Sequence, residues 1–295
     1  MMEDGIIVKA LSGFYYVKTA DGVVACKARG RFRLDGTSPL VGDRVSVSLD
    51  PDGTGRVDGI HERRNFFIRP AVANTDCLVF VAAAVNPVTD PFLIDRVAVI
   101  AEAADCGVLV CVNKCDLDPG DGLAAAYAKT GYPVVRTSAA TGQGLAALRQ
   151  ALAGRVCAFT GNSGVGKSSL LNALCPALSL QTGEVSERLG RGRHTTRHVE
   201  LFDLGGETYA ADTPGFASFD VEMVNAVEKD ELQFCFPEFQ PYIGRCRFDD
   251  CAHLREPGCA VTAAVAAGDV AQSRYDSYVR LYDLSARHKS WEDKK

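Results

Sequence analysis

The chain has 295 residues, room for about two domains, with 47% hydrophobic and 23% charged residues, an ordinary globular composition with enough apolar material for a sizeable core. Its formal net charge of −5 argues against a protein that coats nucleic acid indiscriminately, so any such contact has to come from local basic patches. The first ten residues, with Glu3 and Asp4, do not read as an export signal, and the longest charge-free run, residues 168–183, contains Asn, Gln and Pro and cannot span a bilayer. Eleven cysteines in such a chain suggest thiols and a metal site rather than a disulfide framework; the expected compartment is the cytoplasm, away from membranes.

In residues 1–68, short alternating stretches at Ile6–Val8, Tyr15–Val17, Val23–Cys26 and Arg44–Val47 are separated by turn signals such as Ser12-Gly13 and Asp21-Gly22. Strands at that spacing predict a small all-β barrel. From 69 to 222 the texture changes. Apolar runs at Cys77–Val85, Gly107–Val112, Pro133–Arg136, Val156–Thr160, Val199–Phe202 and Thr208–Ala211 read as strands, with helical stretches at 92–105, 121–129 and 143–153. That alternation predicts a mostly parallel sheet flanked by helices. Residues 223–295 are helical in flavour, interrupted by a Cys- and Arg-rich segment.

Residues Gly161, Asn162, Ser163, Gly164, Val165, Gly166, Lys167 and Ser168 match the phosphate-binding P-loop pattern in full. They follow an apolar run and precede a helix start at Ser169, the strand–loop–helix context that the motif needs. Glycines let backbone N–H groups converge on phosphate oxygens, with Lys167 neutralising the outer phosphates and Ser168 holding Mg²⁺. Asp212 and Gly215, in Asp212-Thr213-Pro214-Gly215 at the tip of another strand, add a water-mediated Mg²⁺ contact and an N–H for the γ-phosphate. Asn113, Lys114, Cys115 and Asp116 follow the apolar run ending at Val112. The Asp116 carboxylate is able to accept two hydrogen bonds from guanine, which adenine does not offer at those positions. Asn113 is placed to tie this loop to the P-loop, Lys114 to lay its stem over the base, and Ser138-Ala139 to supply a backbone N–H to the guanine O6.

In Ras-like GTPases the P-loop comes first; here the base-reading loops precede it. The parts are intact but the chain order is circularly permuted. With a β-barrel before and a cysteine cluster behind, this order resembles the circularly permuted, ribosome small-subunit-dependent GTPases (the RsgA/YjeQ type). The resemblance is carried also by Gly30-Arg31-Phe32-Arg33, Pro39-Leu40-Val41-Gly42-Asp43, Arg69-Pro70, Ala73-Asn74, Asp212-Thr213-Pro214-Gly215-Phe216 and Phe239-x-Pro241. It implies an N-terminal OB-fold (1–68), a permuted GTPase domain (69–222) and a C-terminal zinc domain (223–295). It further implies late maturation of the small ribosomal subunit, with GTP hydrolysed to GDP under stimulation by that subunit; a monomer is expected.

Cys246, Cys251, His253 and Cys259 supply three thiolates and an imidazole at a spacing suited to a closed tetrahedral Zn²⁺ site, the alternative being reduced cysteines in a loop. The position after Gly215, where Ras-like enzymes carry a catalytic Gln, is Phe216, so intrinsic turnover is expected to be slow. Thr196 is the expected second Mg²⁺ ligand, and His194 is a candidate for orienting water, against a solvated loop histidine. Lys27, Arg29, Arg31 and Arg33 recur with period two. On a strand they share one face, suited to ribosomal RNA phosphates or, more blandly, to solubility. Because the Asp212–Gly215 segment runs directly into the zinc region, the γ-phosphate state is expected to reposition that region. The competing reading is an RNA-binding scaffold with structural nucleotide and zinc; a P-loop ATPase is a weaker third.

Overall fold

The computed structural model describes residues 2–30, 32, 37–68, 70–178, 180, 199–212 and 227–287. The chain forms two compact units, one of Met1–Cys77, Leu152–Thr160 and Ser168–Phe216, the other of Leu78–Ala151, Gly161–Lys167 and Ala217–Lys295.

In the first unit, strands β1 (Met2–Leu11), β2 (Phe14–Thr19), β3 (Gly22–Ala28), β4 (Arg44–Leu49) and β5 (Gly55–Ile60) close a barrel in the order β1-β2-β3-β5-β4. Every pairing is antiparallel except β3 with β5, the arrangement of an OB-type barrel. Period-two patterning explains its interior: Ile7, Val17, Cys26, Val45, Val47 and Val57 are fully buried, and their strand neighbours, Ile6 apart, are more exposed. A short ribbon, β6 (Phe66–Ile68) and β7 (Ala71–Ala73), follows. Two motifs far apart in sequence meet here. Gly42 has φ +90°, and a Cβ on it would lie 2.1 Å from the Ala73 carbonyl oxygen, so no other residue fits. The Asn74 side chain donates to the Gly42 carbonyl at 3.1 Å, while the buried Asp43 carboxylate takes both Arg63 Nε and Nη2 at 2.7 Å.

The same unit carries β11 (Val156–Thr160) parallel to β13 (Thr208–Asp212), and β12 (Leu201–Gly205) antiparallel to β13. The strand expected at Val199–Phe202 therefore starts two residues later. Glu200 instead bridges to Lys9, with an ion pair of 2.9 Å.

The cationic stripe is a correction. β3 ends at Ala28, so Arg29 lies beyond the strand and is not on a strand face with Lys27; its carbonyl accepts the Phe32 N–H at 3.2 Å. Lys27 lies on the strand with its ammonium over the Phe14 ring, whereas Arg29 pairs with Asp58 at 2.6 Å. Arg31 and Arg33 lie outside the described residues.

In the second unit, β8 (Cys77–Ala83), β9 (Gly107–Asn113) and β10 (Val134–Arg136) lie in the order β10-β9-β8, with β9 and β10 parallel. Every residue of β8 is buried, which is why it reads as an unbroken apolar run. Helices α1 (Pro91–Ala103), α2 (Asp121–Tyr127) and α3 (Leu145–Leu152) alternate with the strands. α1 starts where it does because Asp90 accepts the Phe92 N–H at 3.0 Å and Pro91 occupies the first turn. α4 (Lys167–Leu174) follows the P-loop and belongs from Ser168 onward to the first unit; α5 (Ala260–Ala266) and α6 (Gln272–Arg287) complete the C-terminal region of the second. Its core is aromatic: Phe236, Phe239 and Tyr278 meet pairwise with ring centroids 5.0–5.3 Å apart.

A buried ion cluster links α6 to the helices behind the base-reading loop. Arg274, only 1% exposed, donates to both Glu238 carboxylate oxygens at 2.6 and 3.1 Å and to Asp95 of α1 at 2.6 Å. The Tyr127 hydroxyl, closing α2, donates to the same Asp95 oxygen at 2.6 Å. Burial works against the Arg274 charge, but the two carboxylates more than reverse it and hold the guanidinium protonated well beyond its ordinary range.

Candidate nucleotide-binding site and metal centre

The P-loop, Gly161–Lys167, and the base-reading loop, Asn113–Asp116, both belong to the second unit, and Asn113 joins them. Its side chain is 2% exposed; Nδ2 donates to the Val165 carbonyl at 2.9 Å, and Oδ1 accepts from Thr137 Oγ1 and the Ala139 N–H, each at 3.2 Å. One amide thus fixes three nucleotide loops, because it offers a donor and an acceptor in one plane. The fit demands glycine at 166, where φ is +89° and a Cβ would lie 2.5 Å from Asn113 Nδ2.

The rest of the base loop is shaped by backbone bonds. Lys114 takes the left-handed conformation at φ +64°, and its carbonyl accepts the Leu117 and Asp118 N–H groups at 2.9 and 3.2 Å. The Cys115 N–H donates to the Thr137 carbonyl at 3.0 Å, and the Asp118 carboxylate accepts the Gly120 N–H at 2.8 Å. The Asp116 side chain stands exposed at the tip, so the low-dielectric surroundings that make guanine reading selective form only once a base covers it. Ser138 is fully buried, with its N–H on the Gln143 carbonyl at 3.0 Å. The Ala139 N–H, one of those expected to reach guanine O6, is engaged by Asn113; the base has to share or take that bond. Cys115 carries no activated thiol, since burial pushes its pKa up.

Lys167 opens α4, and Ser168 and Ser169 follow in its first turn. The N-terminus of an α-helix carries a partial positive charge, so the helix start is suited to an anion. Asp212 ends β13 in register with Phe159 of β11, in the first unit with Ser168. His194, Thr196, Gly215 and Phe216 lie outside the described residues.

In the C-terminal region the donor atoms of Cys246, Cys251, His253 and Cys259 all lie within 4.8 Å of one another. Cys246 Sγ is 3.5 Å from His253 Nδ1 and 3.9 Å from Cys259 Sγ, and His253 Nδ1 is 3.4 Å from Cys259 Sγ. A tetrahedron with Zn–S near 2.3 Å and Zn–N near 2.0 Å has edges of roughly 3.8 Å (S···S) and 3.5 Å (S···N), so the donor set fits such an ion. Gln233 Oε1 faces His253 Nε2 at 2.9 Å and fixes the ring with Nδ1 inward. Burial lowers the His253 pKa, favouring the neutral imidazole that a metal needs. Ala260 and Thr262 N–H groups reach Cys246 and Cys259 sulfurs at 3.3 and 3.5 Å, as expected around thiolates. Tyr275 and Tyr278 of α6 donate to carbonyls of the ligand loop, at His253 and Leu254 and at Ala252.

Sequence reasoning missed Gln233, Arg274 and the β8–α1 turn. The first two carried no motif, and the turn acts through a backbone carbonyl.

Fold and loops define a P-loop GTPase whose base-reading elements precede its phosphate loop. The RsgA GTPase family matches residues 60–222 and the RsgA N-terminal domain residues 4–57, so the chain belongs to the RsgA GTPase family. It is 44% identical over 291 residues to the small ribosomal subunit biogenesis GTPase RsgA of Moorella thermoacetica, covering 98% of this chain and 99% of that one. It is 45% identical over 284 residues to the Geobacillus kaustophilus protein of the same name, covering 94% and 96%. Among solved structures it is similar to YjeQ from Thermotoga maritima, with a TM-score of 0.84 at 35% identity over 98% of this chain and 100% of that one. It is also similar to YloQ, a circularly permuted GTPase, with a TM-score of 0.80 at 38% identity over 98% and 97%.

Proposed function

We infer that this chain binds GTP and GDP and hydrolyses GTP in the maturation of the small ribosomal subunit, with turnover stimulated by that subunit. The observation that carries the nucleotide reading is the Asn113 bridge, which sets the guanine-reading loop against the P-loop as one site. Asp116 reads the base; Lys114 covers it; Ser138 and Ala139 shape its far side. Gly161–Gly166 and Ser169 cradle the phosphates, and Lys167 neutralises them. When bound, Mg²⁺ polarises the β- and γ-phosphate oxygens; Ser168 and Thr196 would hold it, with Asp212 acting through water. Asn113→Ala is expected to weaken GDP binding by about 1–3 kcal/mol, because Val165 and Ala139 lose their partner. Isothermal titration checks this, and unchanged affinity contradicts it.

The ribosomal role rests on the relatives, whose names specify small-subunit biogenesis; a cytoplasmic monomer working on that particle is part of the same reading. Among the described residues no helix is long and apolar enough to cross a membrane. The domain limits 1–68, 69–222 and 223–295 belong to this reading; the family matches run over 4–57 and 60–222. Ribosomal RNA contact by the barrel is a further part of the reading, through Lys27, Arg29, Arg31 and Arg33, of which Lys27 and Arg29 are exposed among the described residues. Cys246, Cys251, His253 and Cys259 hold a structural Zn²⁺ that closes the ligand loop. Cys251→Ser is expected to lose the equimolar zinc of the purified protein by elemental analysis; full retention would remove Cys251 from the site. His194 orients the attacking water where no glutamine stands. His194→Ala should lower subunit-stimulated turnover while GTP affinity survives, and unchanged stimulation would exclude it.

A further inference from the structure

The turn between β8 and α1 touches both halves of the nucleotide site. It is pinned at its base by two hydrogen bonds, Thr89 N–H to the Ala83 carbonyl and Ala83 N–H to Thr89 Oγ1, each 2.9 Å. Thr89 is 1% exposed, so these bonds are shielded from water. The turn rises from that closed base to Asn86, which sits in the left-handed region at φ +44°, a conformation that Asn and Gly tolerate and β-branched residues do not. Its carbonyl accepts the Lys114 ammonium. The next residue, Pro87, packs on the P-loop: its Cδ is 3.4 Å from where a Cβ on Gly164 would stand. Asn113 ties base loop to phosphate loop on the buried side; Asn86 and Pro87 do so on the solvent side.

We propose that Asn86 is a positioning residue for guanine nucleotide, its carbonyl holding the Lys114 ammonium so that the lysine stem is preset over the base. The physical gain is entropic. A free lysine side chain samples many rotamers and loses them on covering a base, whereas one tethered at its tip has already lost them. The bond is charge-assisted and uses a backbone atom, so the identity of residue 86 matters only through the conformation that it permits. The proposal rests on the guanine-site reading given above.

The test is the release rate of a fluorescent GDP analogue from the full-length protein, with the melting temperature measured alongside. Asn86→Val, which cannot adopt φ +44° without strain, is expected to release GDP about tenfold faster, as for one loosened charge-assisted bond. Asn86→Gly, which keeps that conformation but has no side chain, is expected to restore slow release. In a Lys114→Met background Asn86→Val should add nothing further. Equal rates for wild type and Asn86→Val, or the same acceleration with Lys114 absent, overturn the proposal. Should Asn86→Val lower the melting temperature, Pro87→Gly serves instead: about tenfold faster release at unchanged melting temperature supports the coupled turn, and an unchanged rate overturns it. A wild type that retains no GDP sinks the guanine-site reading itself, a separate outcome.

Discussion

Asp116→Asn is expected to turn guanine preference into xanthine preference, with a swing of about 10³–10⁴-fold in relative affinity. The carboxylate is acceptor-only and matches the ring N–H and exocyclic amine of guanine. Xanthine presents a carbonyl where guanine has the amine, and a carboxylate facing that carbonyl pays repulsion and desolvation together. An asparagine amide supplies a donor and an acceptor and inverts the match. The loop geometry survives the change, since it is set by the Lys114 carbonyl, the Cys115–Thr137 bond and the Asp118 cap of Gly120, none of which uses the Asp116 side chain. Competition of xanthosine and guanosine diphosphates for a fluorescent nucleotide measures the swing. Unaltered guanine preference would show that Asp116 does not read the base.

Arg274→Ala is expected to destabilise the C-terminal region by about 3–5 kcal/mol, the cost of leaving buried carboxylates without their cation. Asp95 and Glu238 are both buried, and burial already pushes the Asp95 carboxyl up against the pull of Arg274. The guanidinium also stacks 4.5 Å from the Phe236 ring centroid, so packing is lost along with charge. Denaturant unfolding followed by tyrosine fluorescence should show the loss, and Arg274→Lys should recover only part of it because an ammonium cannot serve Glu238 bidentately. A change under 1 kcal/mol would mean that water reaches the cluster. The cluster also bears on the switch. The C-terminal helix is bound to α1 and, through Asp95, to Tyr127 of α2, while its tyrosines hold the metal loop. Sliding α6 off α1 would break these buried bonds, so any nucleotide-driven repositioning of the zinc region is expected to leave that pairing intact.

The nucleotide motifs were legible because their chemistry is local: glycine spacing, a lysine and an acidic base reader each sit within a few residues of one another. The barrel was legible from period-two burial, and the metal cluster from four ligands within 246–259. The cationic stripe failed because alternation of charge says nothing about where a strand ends; β3 stops at Ala28 and Arg29 finds Asp58. The Arg274 cluster was hidden because its partners are 36 and 179 residues away, and a helical arginine ordinarily faces water. Gly42 was noticed as part of a motif, but its reason, the Ala73 carbonyl pressed against it, exists only in three dimensions.

Whether this permuted GTPase fires on its ribosomal partner is decided by GTP turnover measured with isolated small or large ribosomal subunits. Turnover is expected to be slow for the protein alone, strongly accelerated by small subunits and unaffected by large subunits, and abolished throughout by Lys167→Ala. Absence of turnover under every condition, with GDP still bound, would contradict it and leave an RNA-binding scaffold with structural nucleotide.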